Sequence, residues 1–232
     1  MAAFEHNLAL VQAVARALGS LREELVFVGG CAVGLLLTHV RAQAVRMTVD
    51  VDLIAEVSTL VGFHELEKQF TARGFKHDLS IDAPICRWRN GDLIVDLMPS
   101  NEGVLGFHNR WYPHAIKSAA RIQLPDLSHI NLIAAPAFLG TKIEAFKVRG
   151  RGDFLSSHDL EDILTIVDGR DTLLAEINHA PAELRQYLAE TFREWLLNQD
   201  FLQALPGHLP ADFASQRRLG RLIEVLQAIA GE

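Results

Sequence analysis

The sequence predicts an α+β fold: a small mixed sheet flanked by helices, followed by a C-terminal helical region. Three observations predict it. Short apolar runs of strand length are gathered in residues 1–135, with a helical segment between the first two. Asn90-Gly91 separates two later runs as a tight hairpin signal. From residue 136 onward, apolar residues recur at the helical period. The chain of 232 residues is long enough for one large domain, or for a domain with a helical appendage. We divide it into 1–135, the α/β part, and 136–232, the helical part.

Phe4, Leu8, Val11, Ala15 and Leu18 recur at helical spacing, and Gly19-Ser20 fits the helix end. Residues 25–28 read as the first strand. Gly29-Gly30 makes a turn into a buried helix over 32–38, which contains Gly34. A basic connection with Arg41 and Arg46 leads to a second strand over 49–57. Residues 59–73 read as a helix closed by Gly74. Short strands follow over 75–80, 85–89 and 93–98, and Pro99 ends the last. Residues 101–114 read as a loop, and 115–124 and 129–133 as further strand. A helix over 137–148 is broken at Gly150 and Gly152, and another spans 157–167. The remainder, 172–229, is helical with a break at residues 205–210.

Composition narrows the function. A net charge of −7 carries no global nucleic-acid signature. Residues 86–151, however, hold nine Lys/Arg against five Asp/Glu, which suits a polyphosphate site as well as it suits ordinary surface variation. Cys31 and Cys86 make neither a disulfide framework nor a zinc pattern. The ten histidines form no zinc-protease motif, and neither a Walker A loop nor a GxGxxG run is present. The N-terminus lacks the pattern of a signal peptide, and the longest apolar run is too short for a bilayer. The expected compartment is the cytoplasm.

The chemistry concentrates in residues 26–56. Alternate residues of a strand share a face, so Asp50 and Asp52 point the same way with Cα atoms roughly 6.5–7 Å apart. Two such carboxylates can chelate a hard cation such as Mg²⁺. Backbone N–H groups at a glycine turn that opens a helix can cradle phosphate, although Gly29 and Gly30 also fit a plain tight turn. Asp96 arrives on the hairpin as a third carboxylate. Carboxylate-bound metal beside a phosphate cradle is what phosphoryl or nucleotidyl transfer requires. Lys142 and Arg149 are seven residues apart on one helix face, where two cations clamp a triphosphate or simply meet solvent. Ser156 and Asp159 match a capping box at the next helix start.

Gly29-Gly30 followed by Arg46-x-Thr48-x-Asp50-Val51-Asp52-Leu53 resembles the motif of the DNA polymerase β-like nucleotidyltransferase superfamily. Within it the run is most similar to the AbiEii/AbiGii-type family, many of whose members are toxins of toxin–antitoxin or phage-defence pairs. The resemblance spans residues 26–163 and implies that superfamily's small mixed sheet. It implies Mg²⁺, with Mn²⁺ as a substitute, held by Asp50, Asp52 and Asp96, the last helping to activate the attacking hydroxyl. It implies an NTP held at Gly29, Gly30 and Arg46, with Thr48 in the motif; Arg46 pairing with Asp52 is an equal reading. It further implies that Lys142 steadies the leaving phosphates with Arg149, ahead of an acidic pair, Asp159 and Asp162. An ion-pair network buttressing Lys142 is an equal reading of those last residues. The chain departs from the pattern where many members have Gly-Ser and Arg-Asp, here Gly29-Gly30 and His158-Asp159. The implied acceptor is RNA or tRNA, a protein, or an antibiotic, with an antitoxin protein as possible partner. The alternative is a non-catalytic nucleotide-binding or protein-interaction member of the fold.

Overall fold

The computed structural model describes residues 2–38, 45–106, 109–150 and 152–231. Arg41 and Arg151, two of the basic residues noted above, lie outside the described residues. By packing, the chain falls into a strand-bearing unit, Ala2–Gly34 with Met47–Ala134, and a helical unit, Leu35–Arg46 with Ala135–Glu232.

The strand-bearing unit opens with α1 (Ala2–Leu18), a 3-10 turn and β1 (Leu25–Val28). α2 (Gly29–Leu36) follows, then β2 (Val51–Ala55), α3 (Leu60–Ala72), β3 (Lys76–His77), β4 (Arg87–Asn90) and β5 (Leu93–Pro99). α4 (Glu102–Leu105), α5 (Tyr112–Ser118), β6 (Ala120–Gln123) and β7 (His129–Leu132) complete it. The strands form one mixed sheet in the order β3-β4-β5-β2-β1-β7-β6. β1 runs parallel to β7, and β2 parallel to β5; the other pairs are antiparallel. All four β1 residues are buried, which is why this strand reads as an unbroken apolar run. Gly34 has a packing reason, because the Phe4 ring of α1 occupies the space a Cβ would need.

Four expectations shift. Asp50 lies just before β2 and not within it. Asn90 pairs with Leu93, so the hairpin loop is Gly91-Asp92, with Gly91 supplying the positive φ of 58°. Residues 112–118, read as loop and strand, form α5, because Pro113 suits a first helical turn and Ala115 is buried under it. β3 is two residues long, and Leu79 and Ile81 beyond it are exposed, with no neighbour to hold them in strand.

The helical unit contains α6 (Ala135–Ala145), a π-helical turn Phe146–Gly150 and α7 (His158–Gly169). α8 (Leu173–His179), α9 (Ala182–Leu196), α10 (Gln199–Ala204), α11 (Phe213–Gln216) and α12 (Leu219–Ala230) follow. An aromatic cluster of Phe146, Phe154, Phe192, Trp195 and Phe201 anchors it, with ring centroids 5.2–5.9 Å apart. The α7 cap is Ser157, whose hydroxyl accepts from the Leu160 N–H, while Ser156 bonds Asp153. The expected Ser156–Asp159 box is therefore replaced, and Asp159 turns to other partners. Among the described residues no helix is long and apolar enough to cross a membrane.

Candidate active site

Strand pairing brings two of the sequence-predicted carboxylates side by side. In the parallel β2–β5 pair, Asp52 lies in register with Asp96, a backbone separation of about 4.8 Å. On its other side Asp52 is in register with Val28, the last residue of β1, and the chain then turns at Gly29. Gly29 has φ +70°, and an added Cβ there would overlap the Asp52 carboxylate. The glycine thus does two jobs: it permits the left-handed turn and leaves room for the acid. Gly30 is buried in the first turn of α2.

Asp96 is only 7% exposed and shares its charge with an arginine on the neighbouring strand, which the sequence reading did not place at the site. Arg87 lies directly opposite Asp96 across β4 and β5. Its Nε donates to Asp96 Oδ1 at 2.8 Å and its Nη2 to Oδ2 at 2.7 Å, a bidentate fork. The same Nη2 donates to Asp50 Oδ2 at 2.9 Å. Hydrogen bonding to Asp96 holds the guanidinium still more firmly protonated than usual. Burial, and then the Asp96 charge, push the adjacent Cys86 thiol up to about 12. The signal for Arg87 was legible as an opposite-charge cross-strand pair, but only in the correct register. With a loop at Asn90-Gly91, Arg87 would face Ile94.

Oxygen-only donors on neighbouring strands suit a hard divalent cation, and the Gly29 gap gives Asp52 a cradle. By donor type and register, Asp50, Asp52 and Asp96 fit Mg²⁺ or Mn²⁺. Here Arg87 bridges Asp50 and Asp96, and Asp52 packs at Gly29. Accordingly, no group of three or more His, Cys, Asp or Glu among the described residues is poised around an ion position.

Thr48 anchors the entry to β2. It is 3% exposed, its N–H donates to Asn7 Oδ1 at 3.0 Å, and its carbonyl lies 3.0 Å from His6 Nε2. Asn7, buried on α1, is a positioning residue the sequence did not single out.

The helical unit holds the remaining predicted residues in one chain of charges. Lys142, 6% exposed, contacts Asp159 at 3.1 Å and Asp162 at 2.7 Å. Arg149 forks onto Asp159 at 2.7 and 2.8 Å, and Arg46 reaches Asp162 at 3.1 and 3.3 Å. Burial would raise the Asp159 carboxyl. Hydrogen bonds from Arg149 and the charge of Lys142 outweigh it and hold the pKa below the ordinary value.

Of the other basic side chains in residues 86–151, Arg89 pairs with Asp78 at 2.6 Å, and the Arg110 guanidinium lies 4.6 Å over the Trp111 ring. A cavity of about 670 Å³ in the strand-bearing unit is lined by Glu23, Glu24, Glu56 and Glu65. It opens where Leu25 pairs with Ala55, the end of β1–β2 away from Asp52.

No family model and no curated protein matches the chain. Solved structures do. JHP933 from Helicobacter pylori is similar at 13% identity over 99% of this chain and 92% of its own, with a TM-score of 0.51. The antibiotic-resistance factor ANT(2'')-Ia is similar at 17% identity over 81% and 91%, TM-score 0.49. An antigenic nucleotidyltransferase-like protein from Paracoccidioides brasiliensis is similar at 20% over 86% and 93%, TM-score 0.46. What the chain shares with JHP933 is the fold, a mixed α/β architecture in which, here, the central strands carry Asp52 and Asp96 as neighbours.

Proposed function

We propose that the protein is a Mg²⁺-dependent nucleotidyltransferase that moves a nucleoside monophosphate from an NTP to RNA, tRNA or a protein. The observation that carries this reading is the register pairing of Asp52 with Asp96, beside the Gly29 turn and two residues after Asp50. Asp50, Asp52 and Asp96 would hold Mg²⁺, which when bound supplies charge stabilisation at the α-phosphate and acidifies the attacking hydroxyl. Asp96 accepts the hydrogen bond of that hydroxyl and orients it. Backbone N–H groups of Gly29 and Gly30 hold phosphate oxygens where α2 begins. An acceptor oxygen attacks the α-phosphorus, and pyrophosphate leaves. Lys142 supports its own unit through two buried carboxylates, and Arg149 pairs with one of them while most of its side chain stays exposed. A phosphate contact by either, or by Arg46, extends the proposal.

An AbiEii/AbiGii-type toxin role, with a cognate antitoxin, rests on the Gly29-Gly30 and Arg46–Leu53 motif. A second reading, a non-catalytic nucleotide sensor, is favoured by one observation: Arg87 already answers two of the three carboxylates. Incubation with each labelled NTP, Mg²⁺ and a total cell extract separates the two. Label should pass to one class of molecule, and Asp52→Asn should abolish transfer while circular dichroism stays unchanged. NTP binding with no transfer to any acceptor and no pyrophosphate release would select the sensor. Transfer that survives chelation of divalent ions would sink the metal mechanism.

A further inference from the structure

Arg87 stands out because it meets two of the proposed metal ligands at once. It is neither a distant surface charge nor a buried structural one. Its side chain is 21% exposed, between Asp50 at 27% and Asp96 at 11%. The β4–β5 register puts it opposite Asp96, so no long-range folding is needed to find the partner. Its single Nη2 bridges both acids, at 2.7 Å to Asp96 and 2.9 Å to Asp50. A cation that draws two carboxylates together does the electrostatic work a divalent ion would do there. The guanidinium takes one lone-pair site on each of three oxygens, Asp96 Oδ1, Asp96 Oδ2 and Asp50 Oδ2, and its charge repels an incoming divalent cation.

We infer that Arg87 is a built-in counter-cation that competes with divalent metal for Asp50 and Asp96, so that metal loading requires the guanidinium to swing away. The inference rests on the metal-site reading of these three aspartates. Arg87 is a positioning residue on this view, acting through its two carboxylates and making no contact with the reacting atoms. With the guanidinium in place the acids are kept from an ion. Once it leaves, it remains on the sheet next to the site, available to the negative charge of a bound polyphosphate. Loading by metal together with NTP is then favoured over loading by metal alone.

The test is Mn²⁺ binding to the full chain, followed by electron paramagnetic resonance, with and without a non-hydrolysable NTP. Arg87→Met should bind Mn²⁺ alone about tenfold or more tighter than wild type, since a unit charge within about 4 Å of the ligands has gone. The advantage of added nucleotide should shrink in the same variant. Arg87→Lys keeps the charge without the fork and should fall between the two. In wild type, the Arg87 Nε–H resonance should lose its exchange protection as Mg²⁺ and nucleotide are added, a change that a purely structural arginine would not show. If Arg87→Met and wild type bind Mn²⁺ equally while Asp52→Asn weakens binding, the counter-cation idea fails and the metal site stands. If neither wild type nor Arg87→Met binds Mn²⁺ with or without nucleotide, the metal-site reading itself fails.

Discussion

The two charge clusters of this protein are built from the same residue types and sit in opposite environments. In the helical unit, the Lys142 side chain is 8% exposed between Asp159 at 5% and Asp162 at 2%. Arg149 and Arg46 close the chain from either end. In the strand-bearing unit, Arg87, Asp50 and Asp96 keep a share of their surface in water. A fully buried cation between two acids has no alternative solvation, so such a network holds one arrangement. A part-buried pair that still reaches water has an alternative partner in solvent and can exchange at lower cost than a fully buried one. The difference separates an ionic frame from an ionic switch.

The largest effect should come from breaking the frame. Lys142→Met leaves Asp159 to Arg149 and Asp162 to Arg46, with an apolar side chain in place of the cation they share, and should destabilise the fold by about 3–5 kcal/mol, read as a lower urea midpoint. Arg87→Met should move the same midpoint far less. Equal losses would erase the distinction drawn between the clusters.

Gly29→Ala should come next. The left-handed backbone conformation alone costs an alanine about 1–2 kcal/mol, and the new Cβ must displace the Asp52 carboxylate. Nucleotide transfer should fall with it, whereas alanine at Gly207, which meets open space, should be silent in both assays.

The smallest effect sharpens the picture by pH. The folded-state pKa of Asp159 lies below the ordinary value. Its contribution to stability is therefore fully present above the unfolded pKa of about 3.9 and is lost as pH falls through the lower folded value. Asp159→Asn should flatten that part of the acid stability curve, followed by thermal melts. A curve of unchanged shape would show that the carboxyl draws nothing from Lys142 and Arg149.

Much of this was legible beforehand, for identifiable reasons. β1 was readable to the residue because a doubly buried strand is a continuous apolar run. α3 and α7 were readable because each carries an amphipathic stripe. Asp52, Asp96 and Gly29 were picked out together by residue type, and strand register makes them neighbours. Less legible were features that depend on a one-residue choice. The loop at Gly91-Asp92 decides that Arg87 faces Asp96, and the cap at Ser157 releases Asp159 to its ion pairs. Short segments such as 112–118 were misread because too few residues carry a period, and burial of Ala115 decided the outcome.

Local pattern alone determined that this chain would form a strand-bearing part with a helical remainder, and that Asp52 and Asp96 would ride on strands. Which cation each acid meets was decided only by the tertiary structure. Charge attraction acts over a few ångströms, and the sequence distances involved, 37 residues from Asp50 to Arg87 and 116 from Arg46 to Asp162, are closed by strand register and helix packing. Hydrophobic burial fixes that register first, and the ion pairs form among whatever side chains it has brought within reach.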